Sequence, residues 1–209
     1  MIVLVTTLAH AGPVGSVGLD AGVSTADRTL AVQGRLRWKK GWQLGLRGEG
    51  AQVTEGFVDG FAVDGTRYAT TVGLTLPIVR QETLQVDIEV DTGFQRLRPE
   101  DGAIVDDAAV TLIADVSPMV TLPVGGSSAV RIGWKNLFHQ QLVPSSALDA
   151  QGALVRVEGV FGVSDDLQLT IAGATGGVFG FDGDGGKYLA GIRGGLRFVP
   201  GAARTWKNH

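Results

Sequence analysis

The chain has no cysteine in its 209 residues. That absence excludes a disulfide framework and any thiolate metal site. Histidine is nearly absent too: of three, only His139 lies away from the ends, so chemistry needing a positioned imidazole has one place to go. No apolar run approaches the ~20 residues of a transmembrane helix, so a chain of this kind crosses a bilayer, if at all, by strands. Neither sign of charge dominates. Lys and Arg total 18 against 21 Asp and Glu, interspersed, with a net charge of -3 and no basic stripe, so no nucleic-acid partner is expected. No Pro/Ser-rich linker or sustained charge run divides the sequence, which reads as one domain.

What the chain has in excess is glycine, 32 residues without collagen spacing, and alternation. In "TLQVDIEVDT", residues 83 to 92, Asp87, Glu89 and Asp91 occupy every second position with Leu84, Val86, Ile88 and Val90 between them. Period two is the strand signal, and it sends the carboxylates to one face and the aliphatics to the other. The same pattern predicts ten strands, over 14–24, 29–38, 42–53, 67–78, 83–96, 108–122, 128–139, 153–164, 167–181 and 187–199. Each is about the length, ~9 to 11 residues, that a tilted strand needs to cross the hydrocarbon. Connections after odd strands ("TADR", "TEGFVDGFAVDGT", "LRPEDGAIVDD", "QQLVPSSALDAQ", "DGDGG") are mostly long. Those after even strands ("KKG", "VRQE", "VGGSS", "DD") are tight turns. Transmembrane barrels show this asymmetry, with tight turns on the periplasmic side.

Sorting by parity separates two faces. One carries Val17, Leu19, Leu30, Val32, Leu44, Leu46, Val72, Leu74, Ile132, Val155, Ile171, Ile192 and their equivalents, with no charge in mid-strand. The other carries Asp20, Arg35, Arg37, Arg47, Glu49, Asp87, Glu89, Asp91, Asp115, Arg131, Lys135, Arg156, Glu158, Arg193 and Arg197, eight bases against seven acids. A soluble sandwich wets its polar face and has no need of balance; a closed barrel in lipid turns that face inward, where unpaired charge is costly. Asp87, Glu89 and Asp91 are expected to meet Arg47, Lys135, Arg156 and Arg193. Gly18, Gly45, Gly73, Gly133 and Gly195 share that face and leave the long side chains room. On the apolar face Tyr68, Phe94, Phe138, Phe179, Phe181 and Tyr188 fall near one set of strand ends, and Trp38, Trp42 and Phe198 near the other. Two such girdles mark membrane interfaces, with Trp134 as an exception near mid-strand.

The first residues, "MIVLVTTLAHAG", are a short apolar run ending in a small-x-small pattern without a charged n-region. They read as a signal segment over 1–11, or else as a first buried strand. The barrel is then expected over 12–200, with a short tail over 201–209.

The closing strand, "YLAGIRGGLRF", places Tyr188, Ile192, Leu196 and Phe198 in one phase. Over about residues 12 to 199 the chain resembles the bacterial outer-membrane β-barrel proteins as a broad class. The resemblance implies a closed up-and-down antiparallel barrel in the outer membrane of a Gram-negative cell, with membrane lipid and the barrel-assembly machinery as partners. The tail "VPGAARTWKNH" departs from a class whose members commonly end on the aromatic residue.

Candidate chemistry is sparse. His139 faces inward near the loop end, with Ser145, Ser146, Asp106 and Asp107 in nearby connections. The comparison is with omptin-like outer-membrane proteases, which place an aspartate pair and an Asp-His pair at such a rim but have longer strands and loops. The expectation is no enzyme, with His139 a polar rim residue. Asp182 and Asp184 in "FDGDGG", and Asp59 and Asp64 in "VDGFAVDG", could begin a calcium site but lack the remaining ligands. Asp-Gly is equally the chemistry of a turn, and neither a metal nor a cofactor is expected. Fifteen inward charges in a ten-stranded barrel favour a salt-bridged plug over an open pore, since wide channels appear only at about sixteen strands. The expected role is structural, surface-interaction or narrow conduit. The alternatives are a rim-active hydrolase and a soluble periplasmic sandwich or ligand-binding barrel.

Overall fold

The computed structural model describes residues 13–38, 40–58, 61–100, 108–126, 128–143, 149–180 and 186–200. Ten strands follow one another in chain order: β1 Val14–Ser24, β2 Asp27–Arg37, β3 Gln43–Val58, β4 Phe61–Arg80, β5 Gln85–Pro99, β6 Ala109–Gly125, β7 Ser128–Val143, β8 Asp149–Gly162, β9 Leu167–Gly180 and β10 Lys187–Phe198. Each pairs antiparallel with its sequence neighbours, and β1 pairs with β10, from Val17 against Phe198 to Ser24 against Gly191, so the sheet closes on itself. Closure leaves no edge strand, which is the condition for a sheet to sit where water cannot satisfy free N–H and C=O groups.

All ten expected strands are present, but the hairpin of β3 and β4 is longer than the alternation indicates. Beyond an irregularity between Val53 and Gly56 it continues through Gly56–Val63 and Phe57–Ala62 to Val58–Phe61. Most of the tract read as the loop "TEGFVDGFAVDGT" is therefore strand. Glycine and aspartate signal a turn, but ladder hydrogen bonds override them once neighbouring pairs hold the register. The first connection is also shorter than "TADR" suggests. Ser24 Oγ accepts hydrogen bonds from the N–H groups of Ala26 (3.1 Å) and Asp27 (3.0 Å) and donates to Asp27 Oδ1 (2.7 Å), closing a tight turn. At the opposite end, the β2–β3 turn closes with Gly41 N–H on the Trp38 carbonyl at 2.8 Å, and Gly41 has a φ of 85°. Prolines interrupt the ladder where they cannot donate: the register shifts between Pro77 and Val79 and between Pro123 and Gly125.

The distribution of burial is inverted relative to a water-soluble domain. Leu19, Leu46, Val155 and Ile192 are 52%, 58%, 56% and 58% exposed on the outer wall, whereas Asp87, Glu89, Asp115, Arg156 and Glu158 are buried inside. The outward aromatics lie where parity places them. Trp38, Trp42 and Phe198 are exposed near the tight-turn end, and Tyr68, Phe94, Phe138, Phe179 and Tyr188 near the other, with Trp134 exposed between them. Phe161 is a further exposed aromatic on β8. Phe181 lies outside the described residues, as do the expected signal segment 1–11 and the tail 201–209. Polar side chains on the outer wall bond back into it: Thr92 donates to the Ile113 carbonyl at 3.1 Å and Asn136 to the Val116 carbonyl at 3.5 Å. That is how polar atoms are tolerated on a wall with no water beside it.

Candidate functional site: the charged lumen

Every inward residue owes its direction to the pleat, and its reach to what stands opposite. Charged side chains lie over glycines on neighbouring strands. A Cβ on Gly73 would collide with the Asp91 carboxylate, and one on Gly195 with the Asp20 carboxylate. Sequence alternation thus does two things at once: it aims long polar side chains inward and removes the side chain they would strike.

Among the described residues three ion-pair groups lie in the lumen. On β1 to β4, Arg47 bonds Asp20 at 2.7 Å and Glu49 at 3.0 Å, while Arg67 bonds Glu49 at 2.8 Å and Asp27 at 2.7 Å. Across β5, β7 and β8, Arg131 bonds Glu89 at 2.6 Å and Glu158 at 3.1 Å. Arg156 bonds the same two acids, at 3.1 and 2.7 Å. This second group is a closed ring of two guanidiniums and two carboxylates, and it runs from β5 to β8, strands that are not neighbours. On β6 and β7, Asp115 takes Lys135 at 2.6 Å and His139 at 3.3 Å. Each carboxylate in these groups meets a cation at hydrogen-bond distance, the arrangement in which burying charge is least costly.

The expected partners are corrected in part. Glu89 does meet Arg156, but its other partner is Arg131. Arg47 turns to Asp20 and Glu49, and Lys135 to Asp115. Of the expected network, Asp87, Asp91, Arg35, Arg37, Arg193 and Arg197 make no ion pair among the described residues. Competition from nearer groups explains the change, because residues two apart on an inward face, such as Arg47 with Glu49 and Arg156 with Glu158, are within guanidinium reach. His139 has Asp115 as its acid partner; Asp106, Asp107, Ser145 and Ser146 lie outside the described residues, as do Asp59, Asp182 and Asp184. Among the described residues no group of three or more His, Asp or Glu is placed to hold a metal ion.

Among the described residues four inward charges escape the sequence reading: Asp27, Arg67, Arg80 and Lys187. Arg67 is in phase with Gly73, so parity alone reaches it. Arg80 is out of phase until the irregularity after Pro77 turns it inward, where its guanidinium lies against Gly41.

The free space is asymmetric. A cavity of about 400 Å3 is lined toward the long-loop end by Ser24, Asp27, Arg67 and His139 and toward its floor by Arg35, Glu89 and Arg156. Arg131, Glu158, Arg197, Arg37 and Met119 do not line it. They fill the lumen between that floor and the tight turns, with Met119 fully buried and Glu158 4% exposed.

An apolar outer wall, two aromatic girdles and a lumen of buried ion pairs occur together where hydrocarbon surrounds a closed sheet. The fold is that of the bacterial outer-membrane β-barrels. Its place is accordingly the bacterial outer membrane. No protein-family model matches the chain, and no curated protein matches it in sequence. Among solved structures, the translocator domain of the autotransporter NalP from Neisseria meningitidis is similar at a TM-score of 0.50 with 12% identity, covering 90% of this chain and 88% of that one. The NanC porin is similar at 0.47 with 12% identity, covering 87% and 98%. OmpT of Vibrio cholerae is similar at 0.39 with 9% identity, and this chain spans only 56% of its length. The closed-barrel fold of the present chain rests on its own geometry and is shared with the first of these structures.

Proposed function

We propose that this outer-membrane barrel is non-conducting and non-catalytic, closed on its tight-turn side and open as a vestibule at its loop end, which faces the cell exterior. Its partners are membrane lipid and, during insertion, the assembly machinery that reads β10. One observation carries the reading: the Glu89–Arg131–Glu158–Arg156 ring links β5 to β7 and β8 at and below the cavity floor, with contacts of 2.6 to 3.1 Å. Closed rings of this kind hold each side chain from two directions, so hydrated ions meet a wall rather than a path. His139 fits a polar rim residue, its ring held by an aspartate that Lys135 also neutralises.

The test is conductance of the purified chain in planar phospholipid bilayers. Wild type should insert without steady current. Arg131→Ala combined with Glu158→Ala removes both members of one pair, leaves no isolated charge from it, and should introduce discrete current steps. Steady ohmic conductance of the wild type would replace this reading with the narrow-conduit one.

A further inference from the structure

Inward charge is not spread evenly around the wall. Strand β1 offers the lumen Ser16, Gly18, Asp20 and Gly22, and the charged inward residues its two neighbours set opposite that stretch are all arginines. The register sets Arg35 opposite Ser16 and Arg37 opposite Val14 on the β2 side, and Arg193 opposite Gly22 and Arg197 opposite Gly18 on the β10 side. Asp20 is the one carboxylate among them, and Arg47 already holds it at 2.7 Å. None of the four flanking arginines makes an ion pair among the described residues. The Nε of Arg197 is buried without a hydrogen-bond partner.

Three of the opposing acids are committed elsewhere. Glu89 is held by Arg131 and Arg156, Glu158 by the same pair, and Asp115 by Lys135 and His139. Asp91 lies over Gly73, on β4. The strip along β1 therefore sets four unpaired arginines against two unpaired carboxylates, Asp87 and Asp91, an excess of buried positive charge in a setting where such charge is costly. Arg35 and Arg193 line the cavity, with Gly22, Gly45 and Gly191 beside them keeping the wall open. At about 400 Å3 the space matches the lower range, ~300 Å3 upward, of small-molecule pockets. A guanidinium fork is shaped for an oxyanion, which it binds through two parallel N–H donors.

We propose that the vestibule is a binding site for a small molecule bearing phosphate or carboxylate, with Arg35 and Arg193, opposite Ser16 and Gly22 of β1, as two forks on the cavity wall and Arg37 and Arg197 adding positive field. The proposal rests on the closed-vestibule reading, but calorimetry tests it independently of conductance. The full chain, folded in detergent, is titrated with inorganic phosphate and, separately, with succinate. Saturable binding of at least one is expected, weakened about tenfold or more by Arg35→Gln or Arg193→Gln, and unchanged by Arg28→Gln, an exposed outward arginine on β2. Preference for one titrant identifies which oxyanion the site takes. Heat-modifiable gel mobility establishes that each variant is folded. If the Gln variants do not fold, Arg35→Lys and Arg193→Lys keep the charge and lose the fork, and weaker binding is again expected. Absence of saturable binding to wild type, or equal binding by folded Arg35 and Arg193 variants, overturns the proposal whether or not the barrel conducts.

Discussion

A single charge on the outer wall distinguishes lipid from water as the barrel's solvent. Leu46 is 58% exposed and sits on β3 four residues beyond Trp42, the tight-turn girdle, and four before Gly50, which pairs with the loop-end girdle residue Tyr68. At about 3.3 Å per residue it is some 13 Å of strand from either girdle, hence close to mid-bilayer. In a soluble protein, replacing so exposed a side chain is nearly neutral, within about 0.5 kcal/mol. In a bilayer, arginine at the midplane costs about 2–4 kcal/mol, falling to about 0–1 near the interface. Leu46→Arg should therefore lower the folding equilibrium constant by about 30- to 1,000-fold. Thr54→Arg, exposed on the same strand past the Tyr68 level, should change it by about fivefold or less. Equilibrium urea titration of folding into phospholipid vesicles, followed by tryptophan fluorescence, measures both. Equal effects at the two positions, or a neutral Leu46→Arg, would refute the assignment of the apolar wall to hydrocarbon.

The inner ring makes a second stability prediction. Glu158→Gln leaves Arg131 and Arg156 short of a carboxylate at a site where Glu158 is 4% exposed, and should cost about 3 kcal/mol. Asp27→Asn, which touches only Arg67 among the ion pairs and lies beside the loop-end turn, should cost about 1 kcal/mol or less in the same titration. Removing the turn closure with Ser24→Ala, which deletes two accepted hydrogen bonds and one donated bond, should cost about 1–2 kcal/mol by that assay. Depth can also be read directly. In chains retaining one tryptophan, lipids labelled deep in the acyl chain should quench Trp134 most, and lipids labelled near the headgroup should quench Trp38 and Trp42 most. The reverse order would contradict the girdle assignment.

Much of this architecture is legible in the sequence because a strand's period is an integer. Parity alone assigns Asp87, Glu89 and Asp91 to the lumen and Val86, Ile88 and Val90 to the wall, and the structure agrees at each of these positions. Length is less legible. The β3–β4 hairpin runs through Gly56 and Phe61 because hydrogen-bond pairing, not side-chain chemistry, extends it beyond the apolar belt. Phase is vulnerable at proline: the irregularity after Pro77 brings Arg80 inward although a fixed alternation from Gly73 points it out.

Ion-pair partners are the hardest feature to read, for a reason specific to barrels. Parity gives a side chain's direction but not its height, and height depends on strand tilt and stagger, which accumulate around the wall. Matching Asp91 to a cation across the lumen requires both, whereas two kinds of pattern need neither. Arg-x-Glu on an inward face, in "RGE" at Arg47 and "RVE" at Arg156, spells a contact within one strand. Two inward arginines on each strand flanking a glycine-bearing one, "RLR" at Arg35 and "RGGLR" at Arg193, spell an excess of positive charge wherever the heights fall. The first pattern accounts for charge the fold neutralises itself. The second marks charge it leaves for something else to neutralise, which is why the arginine strip beside β1, and not the more conspicuous acidic run of β5, is the place to look for a ligand.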